Sequence, residues 1–200
     1  MTGEQPVSTV AVLTNDLQYD LVQKNPERIA AVDAATPHFT RFLAEMRRRG
    51  HSVVHLQLVN LPDDPNAERY DGHLPVERGT RGAEIIEAFL DPRDVVLEKN
   101  KDSGFYETDL HTRLQERGVE TVVITGMQTQ ICVQTTAADA FFRGYNVWVP
   151  RDCVVSARTE DRDRALEWLA GYCATVADST EILSVLDSQG VLPRREIKTP

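Results

Sequence analysis

A chain of 200 residues with 41% apolar residues is long enough to form one domain with a sizeable core, without help from disulfides. Lys and Arg number 22 against 31 Asp and Glu, giving a net charge of −9, which argues against nucleic acid or an anionic membrane surface as a partner. No segment approaches the roughly 18 consecutive apolar residues of a membrane helix, and the first residues do not resemble an export signal, so we expect neither a membrane span nor secretion.

Six short runs rich in Val, Ile and Leu predict buried strands, and the stretches between them have helical spacing. This alternation is typical of a three-layer, Rossmann-like α/β fold with a six-stranded, mainly parallel sheet. We expect a single domain over residues 1–200, with a core at about 7–187 and a tail at 188–200. The predicted strands are Val7 to Leu13, Ser52 to Val59, Asp94 to Leu97, Thr121 to Thr125, Asn146 to Val149 and Ala174 to Ala177.

Four segments with helical periodicity lie between these strands, and the first three each end at an Arg followed by Gly, a common helix stop. Pro37 is expected to kink or divide the first. The polar stretch from Asn60 to Gly82 lacks periodicity and is predicted to be a surface loop near the site, while the last ten residues are predicted to be frayed. The predicted helices are Arg28 to Arg49, Thr108 to Arg117, Cys132 to Arg143 and Glu160 to Ala170.

Three cysteines, at positions 132, 153 and 173, form an odd set without a CxxC pair. This number and spacing argue against a disulfide framework and against a zinc ribbon. They predict a protein of the reducing cytoplasm.

Reactive side chains are expected just after strands, because ligands of an open parallel sheet bind outside the carboxyl ends of its strands. Asp16, Lys99 and Cys132 each follow an apolar run. A Cys at the start of a helix is favoured as thiolate, which makes Cys132 the best nucleophile candidate. A carboxylate beside it could act as base, and a lysine could keep that carboxylate ionised.

Each of these residues also has a purely structural interpretation. A lone Cys among apolar residues is usually inert packing, and an Asp after a strand is usually a turn former. Lys99 and Lys101 have the same parity along a strand, so alternation does not choose between them. Residue physics alone leaves these alternatives open.

The stretch GMQTQICVQTTAADA, residues 126–140, resembles the pattern G-x-x-T-x-x-C-V-x-x-T-A-x-D-A of the isochorismatase-like cysteine hydrolases. NDLQ at 15–18 is similar to the D-x-Q of that family, and EKNKDSGF at 98–105 is similar to its K-x-x-x-S-x-F. Counting back from Ser103, the resemblance selects Lys99. It implies a triad of Asp16 as base, Lys99 as stabilising charge and Cys132 as nucleophile.

The resemblance further implies a non-proline cis peptide between Met127 and Gln128, and an oxyanion hole formed by the backbone amides of Gln128 and Cys132. Phe105 and Gln128 are the residues we expect to contact substrate. The chain departs from the family at Asp102, where an aromatic residue is common. It also lacks the Asp-x-His pair of nicotinamidases around His55, so we expect no catalytic metal, no cofactor and no nicotinamidase activity.

These features favour a cysteine-dependent hydrolase that cleaves a carbon–nitrogen bond of a small amide, carbamoyl or ureido compound through a covalent acyl-thioenzyme. The resemblance also implies a homodimer or larger homo-oligomer. One alternative is hydrolysis of a vinyl ether, as in isochorismatase, without a covalent intermediate. The other is a binding protein that keeps the fold without catalysis. No dinucleotide, Walker or serine-hydrolase motif is present.

Overall fold

The structure is a computed structural model that describes residues 10–63 and 74–195. All six predicted strands are present, and a two-residue strand that was not predicted makes a seventh. The part of the first predicted strand before Val10 lies outside the described residues. The strands are β1 (Val10–Asn15), β2 (Ser52–Leu58), β3 (Val95–Lys99), β4 (Thr121–Met127), β5 (Asn146–Pro150), β6 (Val154–Val155) and β7 (Thr175–Ala177).

The sheet has the strand order β3-β2-β1-β4-β5-β7, with β6 paired to β4, and every strand pair is parallel. The central strands β1 and β4 are buried along their whole length, which explains their nearly continuous apolar sequences. The chain winds outward from β1 in one direction and from β4 in the other. The gap between the carboxyl ends of β1 and β4 is therefore the topological switch point, where parallel sheets bind ligands.

Helices cover both faces of the sheet and complete the three-layer fold. Helices α2 and α6 pack on one face, and α3, α4 and α5 pack on the other. Within the described ranges, no helix combines the length and apolar character needed to cross a bilayer. The helices are α1 (Tyr19–Val22), α2 (Pro26–Arg48), α3 (Leu110–Glu116), α4 (Gln134–Phe142), α5 (Thr159–Tyr172) and α6 (Ser179–Gln189).

Helix α2 is a single helix of 23 residues, so Pro37 does not divide it. The helix begins with Pro26 in its first turn, and the side chain of Asn25 caps it by accepting a hydrogen bond from the N–H of Arg28 at 2.9 Å. Its buried face includes Phe39 and Phe42, both with no exposed surface. This long apolar contact with the sheet offsets the one backbone hydrogen bond that proline cannot make.

The prediction of a frayed tail was wrong for the part that the structure describes. Helix α6 extends to Gln189, and Gly190 ends it in the left-handed conformation with a φ of 73°. Beyond it, the carbonyl of Leu192 accepts a hydrogen bond from Asn146 at 2.8 Å, and that of Pro193 accepts one from Trp148 at 3.2 Å. These polar partners on β5 hold the segment against the sheet, and the apolar spacing used for prediction does not reveal them.

The predicted loop from Asn60 to Gly82 is described only in part, since residues 64–73 lie outside the described ranges. Its last section is anchored by hydrogen bonds from Asn60 N–H to the carbonyl of Val76 and from Val76 N–H to the side chain of Asp20. Val76 is fully buried. The described end of the loop is therefore fixed near the start of α1, just after β1.

Gly126 provides the first testable prediction, because it lies against Asn15 of β1 with no room for a side chain. Its φ is +107°, and a Cβ at this position would lie 2.2 Å from the carbonyl oxygen of Asn15. The contact is with backbone in the middle of the sheet and cannot be relieved by a rotamer change. We expect Gly126→Ala to lower the free energy of unfolding by at least about 2 kcal/mol, measured by urea titration.

Gly171→Ala is the matched control, because Gly171 lies in α5 and a Cβ there would meet nothing within 4 Å. We expect this change to be neutral or stabilising by up to about 1 kcal/mol. Equal stability of the two variants would contradict the role assigned to Gly126.

Candidate active site

Asp16 lies directly after the last residue of β1, at the switch point of the sheet. Its φ is 58°, in the left-handed region, which Asp tolerates better than most residues. Its N–H donates a hydrogen bond to the carbonyl of Leu56 in β2 at 3.1 Å, and only 1% of the residue is exposed. The strand therefore ends in a fixed turn that leaves a carboxylate buried at the carboxyl end of the sheet.

Lys99, the last residue of β3, reaches across the end of β2 to this carboxylate. Its Nζ lies 3.0 Å from Oδ1 and 3.1 Å from Oδ2 of Asp16. The same ammonium group donates to the backbone carbonyls of Lys101 and Asp102 at 3.2 and 3.1 Å. Lys101 is exposed, and its own ammonium group donates to Asn100. The structure thus distinguishes the two lysines that strand parity could not.

Cys132 lies in a single π-helical turn, Thr129–Val133, between β4 and α4. The helix predicted to start at Cys132 is therefore α-helical only from Gln134. The residue is 6% exposed, and its side chain interacts with that of Asp16. Its Sγ also lies 3.6 Å from Oδ1 of Asp102. The three predicted catalytic side chains thus meet at one place, with a second carboxylate beside the sulfur.

The electrostatics of this cluster are dominated by burial. Burial raises the pKa of Asp16 above its ordinary value, and attraction to Lys99 and the interaction with Cys132 offset only part of that rise. Burial opposes the charge on Lys99, but attraction to Asp16 and Cys132 outweighs it and raises the pKa of the ammonium group. The pKa of Cys132 is raised well above its usual range, first by burial and then by the charge of Asp16.

Burial therefore outweighs the preference for thiolate that a helix start would give Cys132. A buried thiol between two carboxylates is favoured in its neutral form, and Lys99 offsets this only in part. In addition, the sulfur lies within a π-turn and not at the first turn of an α-helix, where the dipole argument would apply. Burial thus favours the neutral form of the Cys132 thiol, which lies beside the Asp16–Lys99 ion pair.

The non-proline cis peptide expected between Met127 and Gln128 is present. The side-chain oxygen of Gln128 accepts a hydrogen bond from the N–H of Ala157 at 3.2 Å, whereas its Nε2 is buried and has no partner among the described residues. Among the described residues, the other buried side-chain polar atoms without a hydrogen-bond partner are Nε of Arg28, Oγ1 of Thr129 and Oδ1 of Asp16, which is in contact with Lys99 through the ion pair. Asp16 belongs to the triad cluster, and Thr129 belongs to the same turn as Cys132.

Phe105 does not join this cluster. Its ring is 3% exposed, stacks on Tyr145 with ring centroids 5.8 Å apart, and carries the guanidinium of Arg143 at 5.3 Å. These contacts lie in the core between the sheet and helices α3 and α4. The structure therefore gives the Phe105 side chain a packing role.

Thr136 is a site residue that sequence reasoning missed, although it belongs to the motif. Its hydroxyl donates to the side-chain oxygen of Asn15 at 3.1 Å and accepts a hydrogen bond from the N–H of Gly104 at 3.1 Å. One buried hydroxyl thus connects the residue before Asp16, the segment after Lys99 and the helix after Cys132.

Ser103 and Asp139, two other motif residues, form a second connection. The Ser103 hydroxyl donates to Asp139 at 2.7 Å and accepts from the N–H of Phe105 at 3.1 Å.

His55, considered as a metal ligand, has both ring nitrogens occupied, by Thr14 at 2.6 Å and Asp94 at 2.9 Å. Among the described residues, no group of three or more His, Cys, Asp or Glu side chains is arranged to hold a metal ion.

The parallel α/β sheet brings a cysteine, a carboxylate and a lysine together at its switch point, where such sheets bind ligands. These are the groups that a thiol-dependent enzyme uses at its active site. The family model described as the isochorismatase domain matches residues 10–181. The chain belongs to the isochorismatase family.

Relatives and solved structures agree with this assignment. An isochorismatase family protein from Desulfovibrio vulgaris superimposes with a TM-score of 0.80 at 27% identity, over 90% of this chain and 99% of that one. The N-carbamoylsarcosine amidase of Thermoplasma acidophilum gives 0.73 at 30% identity, over 86% and 96%. The ureidoacrylate amidohydrolase RutB of Enterobacter sp. is 32% identical over 60% of this chain and 54% of its own length. The chain spans about half the length of the curated relatives it matches, between 40% and 54% for three of them.

The connecting role of Thr136 leads to a second prediction. Thr136→Val keeps the shape of the side chain but leaves Asn15 Oδ1 and the N–H of Gly104 buried without this partner. We expect the free energy of unfolding to fall by about 2 to 4 kcal/mol, measured by urea titration. Thr135→Val is the control, because its exposed hydroxyl bonds only to carbonyls one turn away, and should change stability by less than about 0.5 kcal/mol. Equal losses in both variants would contradict this role.

Proposed function

We propose that this chain is a cysteine-dependent hydrolase that cleaves a carbon–nitrogen bond of a small amide, carbamoyl or ureido compound. The observation that carries the proposal is the buried Asp16–Lys99 ion pair next to the thiol of Cys132. An amidohydrolase and an amidase are named among the similar proteins, and the names of both refer to ureido or carbamoyl compounds. Because the chain spans only part of its curated relatives, their substrates support a class and not an individual compound.

In the proposed mechanism, Asp16 removes the proton from Cys132 as the sulfur attacks the substrate carbonyl. The new carbon–sulfur bond converts the carbonyl oxygen into an oxyanion, which the backbone N–H groups of Gln128 and Cys132 stabilise. Asp16 then gives its proton to the departing amine as the carbon–nitrogen bond breaks. Water, deprotonated by the same carboxylate, hydrolyses the thioester and restores the thiol.

The raised pKa of Asp16 and the charge of Lys99 suit this sequence of steps. A carboxylate of ordinary acidity is a poor acceptor for a thiol proton, but burial makes Asp16 more basic. Lys99 keeps the carboxylate ionised in the resting state and compensates the negative charge that moves to sulfur. Gln128 Nε2, buried and without a hydrogen-bond partner in the part of the chain that the structure describes, is the side-chain donor that we assign to a substrate oxygen.

The remaining expectations belong to the same proposal. The three cysteines are unpaired thiols, which supports a reducing compartment such as the cytoplasm. We propose a small-molecule substrate without metal or cofactor, and a homodimer or larger homo-oligomer.

The covalent mechanism is tested by Cys132→Ala. We expect this variant to keep the fold, judged by circular dichroism and thermal unfolding, and to lose all measurable ammonia release from a panel of amides, carbamoyl compounds and ureido acids, because the nucleophile is gone. Cys173→Ala is the matched control and should keep activity, because Cys173 belongs to the core cluster packed against helices α3 to α5.

Mass spectrometry of the wild-type protein, quenched during turnover, should show an acyl group on Cys132. Turnover by Cys132→Ala would contradict the covalent mechanism and favour hydrolysis without an intermediate. A wild-type protein that binds members of the panel but turns none over would favour the non-catalytic alternative.

The pH dependence of activity provides a further prediction. Asp16 must be ionised to accept the thiol proton, so activity is present above its pKa and is lost as the pH falls through it. Since burial raises this pKa, the acid limb of kcat/KM should lie clearly above 3.8, the ordinary value for Asp. kcat/KM is measured across the pH range with a substrate that has no ionisable group. Circular dichroism at each pH checks that the fold is intact. An acid limb at or below 3.8 with intact fold would contradict Asp16 as the base.

A further inference from the structure

Asp102 places a second carboxylate beside the sulfur of Cys132. Its Oδ1 lies 3.6 Å from Sγ, close enough to accept a hydrogen bond from the thiol. Asp16 is 1% exposed, whereas Asp102 is an exposed residue. The two carboxylates therefore differ in position: Asp16 is buried against Lys99, and Asp102 lies where the sulfur meets solvent.

The position of Asp102 is fixed by the same network that holds the triad. Its backbone carbonyl accepts a hydrogen bond from Nζ of Lys99 at 3.1 Å and lies 3.5 Å from the Thr136 hydroxyl, whose proton points to Asn15 or to this carbonyl. Within the part of the chain that the structure describes, no basic side chain forms an ion pair with Asp102. The backbone is thus held in place, while the negative charge of the side chain has no ion-pair partner.

Besides Asp102, the charged groups that act on the sulfur are Asp16, Lys99 and Arg28, and Lys99 also interacts electrostatically with Asp102. Asp16 and Lys99 neutralise each other. Arg28 interacts electrostatically with Cys132 from helix α2, where its Nη1 is held by the carbonyl of Leu21 at 2.9 Å. Asp102, by contrast, contacts the sulfur directly, so a group that approaches from solvent meets a negative charge.

We infer that Asp102 determines the charge of the substrates that reach Cys132, favouring those with a positively charged amine near the scissile carbonyl and disfavouring those with a carboxylate there. A carboxylate stabilises a nearby ammonium group and repels a nearby anion. Beside the entrance to a site, it therefore raises the affinity and the association rate of cations and lowers those of anions. The part of this inference that concerns substrates rests on the proposed function. The part that concerns charge at the sulfur does not.

A test that needs no substrate uses two methanethiosulfonates of opposite charge, one with a trimethylammonium group and one with a sulfonate. In each case the thiolate displaces methanesulfinate and forms a mixed disulfide, and mass spectrometry measures the rate at Cys132. Cys132→Ala gives the background from Cys153 and Cys173. The ratio of the cationic to the anionic rate is the readout, because a change in the pKa of the thiol affects both rates equally and cancels.

We expect this ratio to fall by about tenfold in Asp102→Asn, since one charge a few ångströms from the sulfur acts with opposite sign on the two reagents. High salt should reduce the ratio in the wild type and have little effect in the variant. Glu107→Gln is the matched control, because Glu107 is an exposed acidic residue of the same segment, and it should leave the ratio unchanged.

The substrate part is tested with three matched ureas: aminoethylurea, propylurea and β-ureidopropionate, which are cationic, neutral and anionic. Ammonia release should give a kcat/KM that decreases in that order for the wild type, and Asp102→Asn should remove most of the difference. An unchanged labelling ratio in Asp102→Asn would overturn the inference, as would a wild-type preference for β-ureidopropionate. A changed ratio without turnover of any urea or amide would support charge selection by Asp102 and overturn the proposed function.

Discussion

The buried ion pair between Asp16 and Lys99 is the interaction on which the rest of the site depends. Neither side chain is more than 2% exposed, and a single buried charge would be costly without its partner. Removing one member of such a pair costs about 3 to 5 kcal/mol in proteins, because the other is left uncompensated. The pair is possible here because the segment after β3 folds back and offers Lys99 two carbonyl acceptors in addition to the carboxylate.

This constraint gives several residues of the motif a connecting role. Thr136 holds Asn15 and Gly104 in fixed positions, and Ser103 is held by Asp139 on helix α4. Gly126 allows β4 to approach β1 at the residue that precedes Asp16. These residues fix three chain segments relative to one another, so that the carboxylate and the ammonium group form an ion pair that interacts with the sulfur. These motif residues thus position the three side chains that we propose to carry the reactive groups.

The sequence was sufficient for the sheet and for the identity of the triad candidates, for different reasons. The strands were predictable because strands buried on both faces need continuous apolar runs. The choice of Lys99 over Lys101 depended on the family resemblance, because both residues have the same parity and only the fold of the segment after β3 distinguishes them. The attachment of the tail to Asn146 and Trp148 was not predictable, since single polar contacts leave no periodic pattern.

The burial of the Cys132 thiol, which raises its pKa, is not visible in the local sequence pattern that places the residue near a helix start. Burial affects Asp16 and Cys132 in the same direction, and this has a chemical consequence. If only the thiol were buried, transfer of its proton to an ordinary carboxylate would be strongly uphill. Because the pKa of the acceptor is raised as well, burial penalises both the thiolate and the carboxylate, and much of the penalty cancels in the transfer between them. The ammonium group of Lys99 then remains beside whichever of the two carries the negative charge.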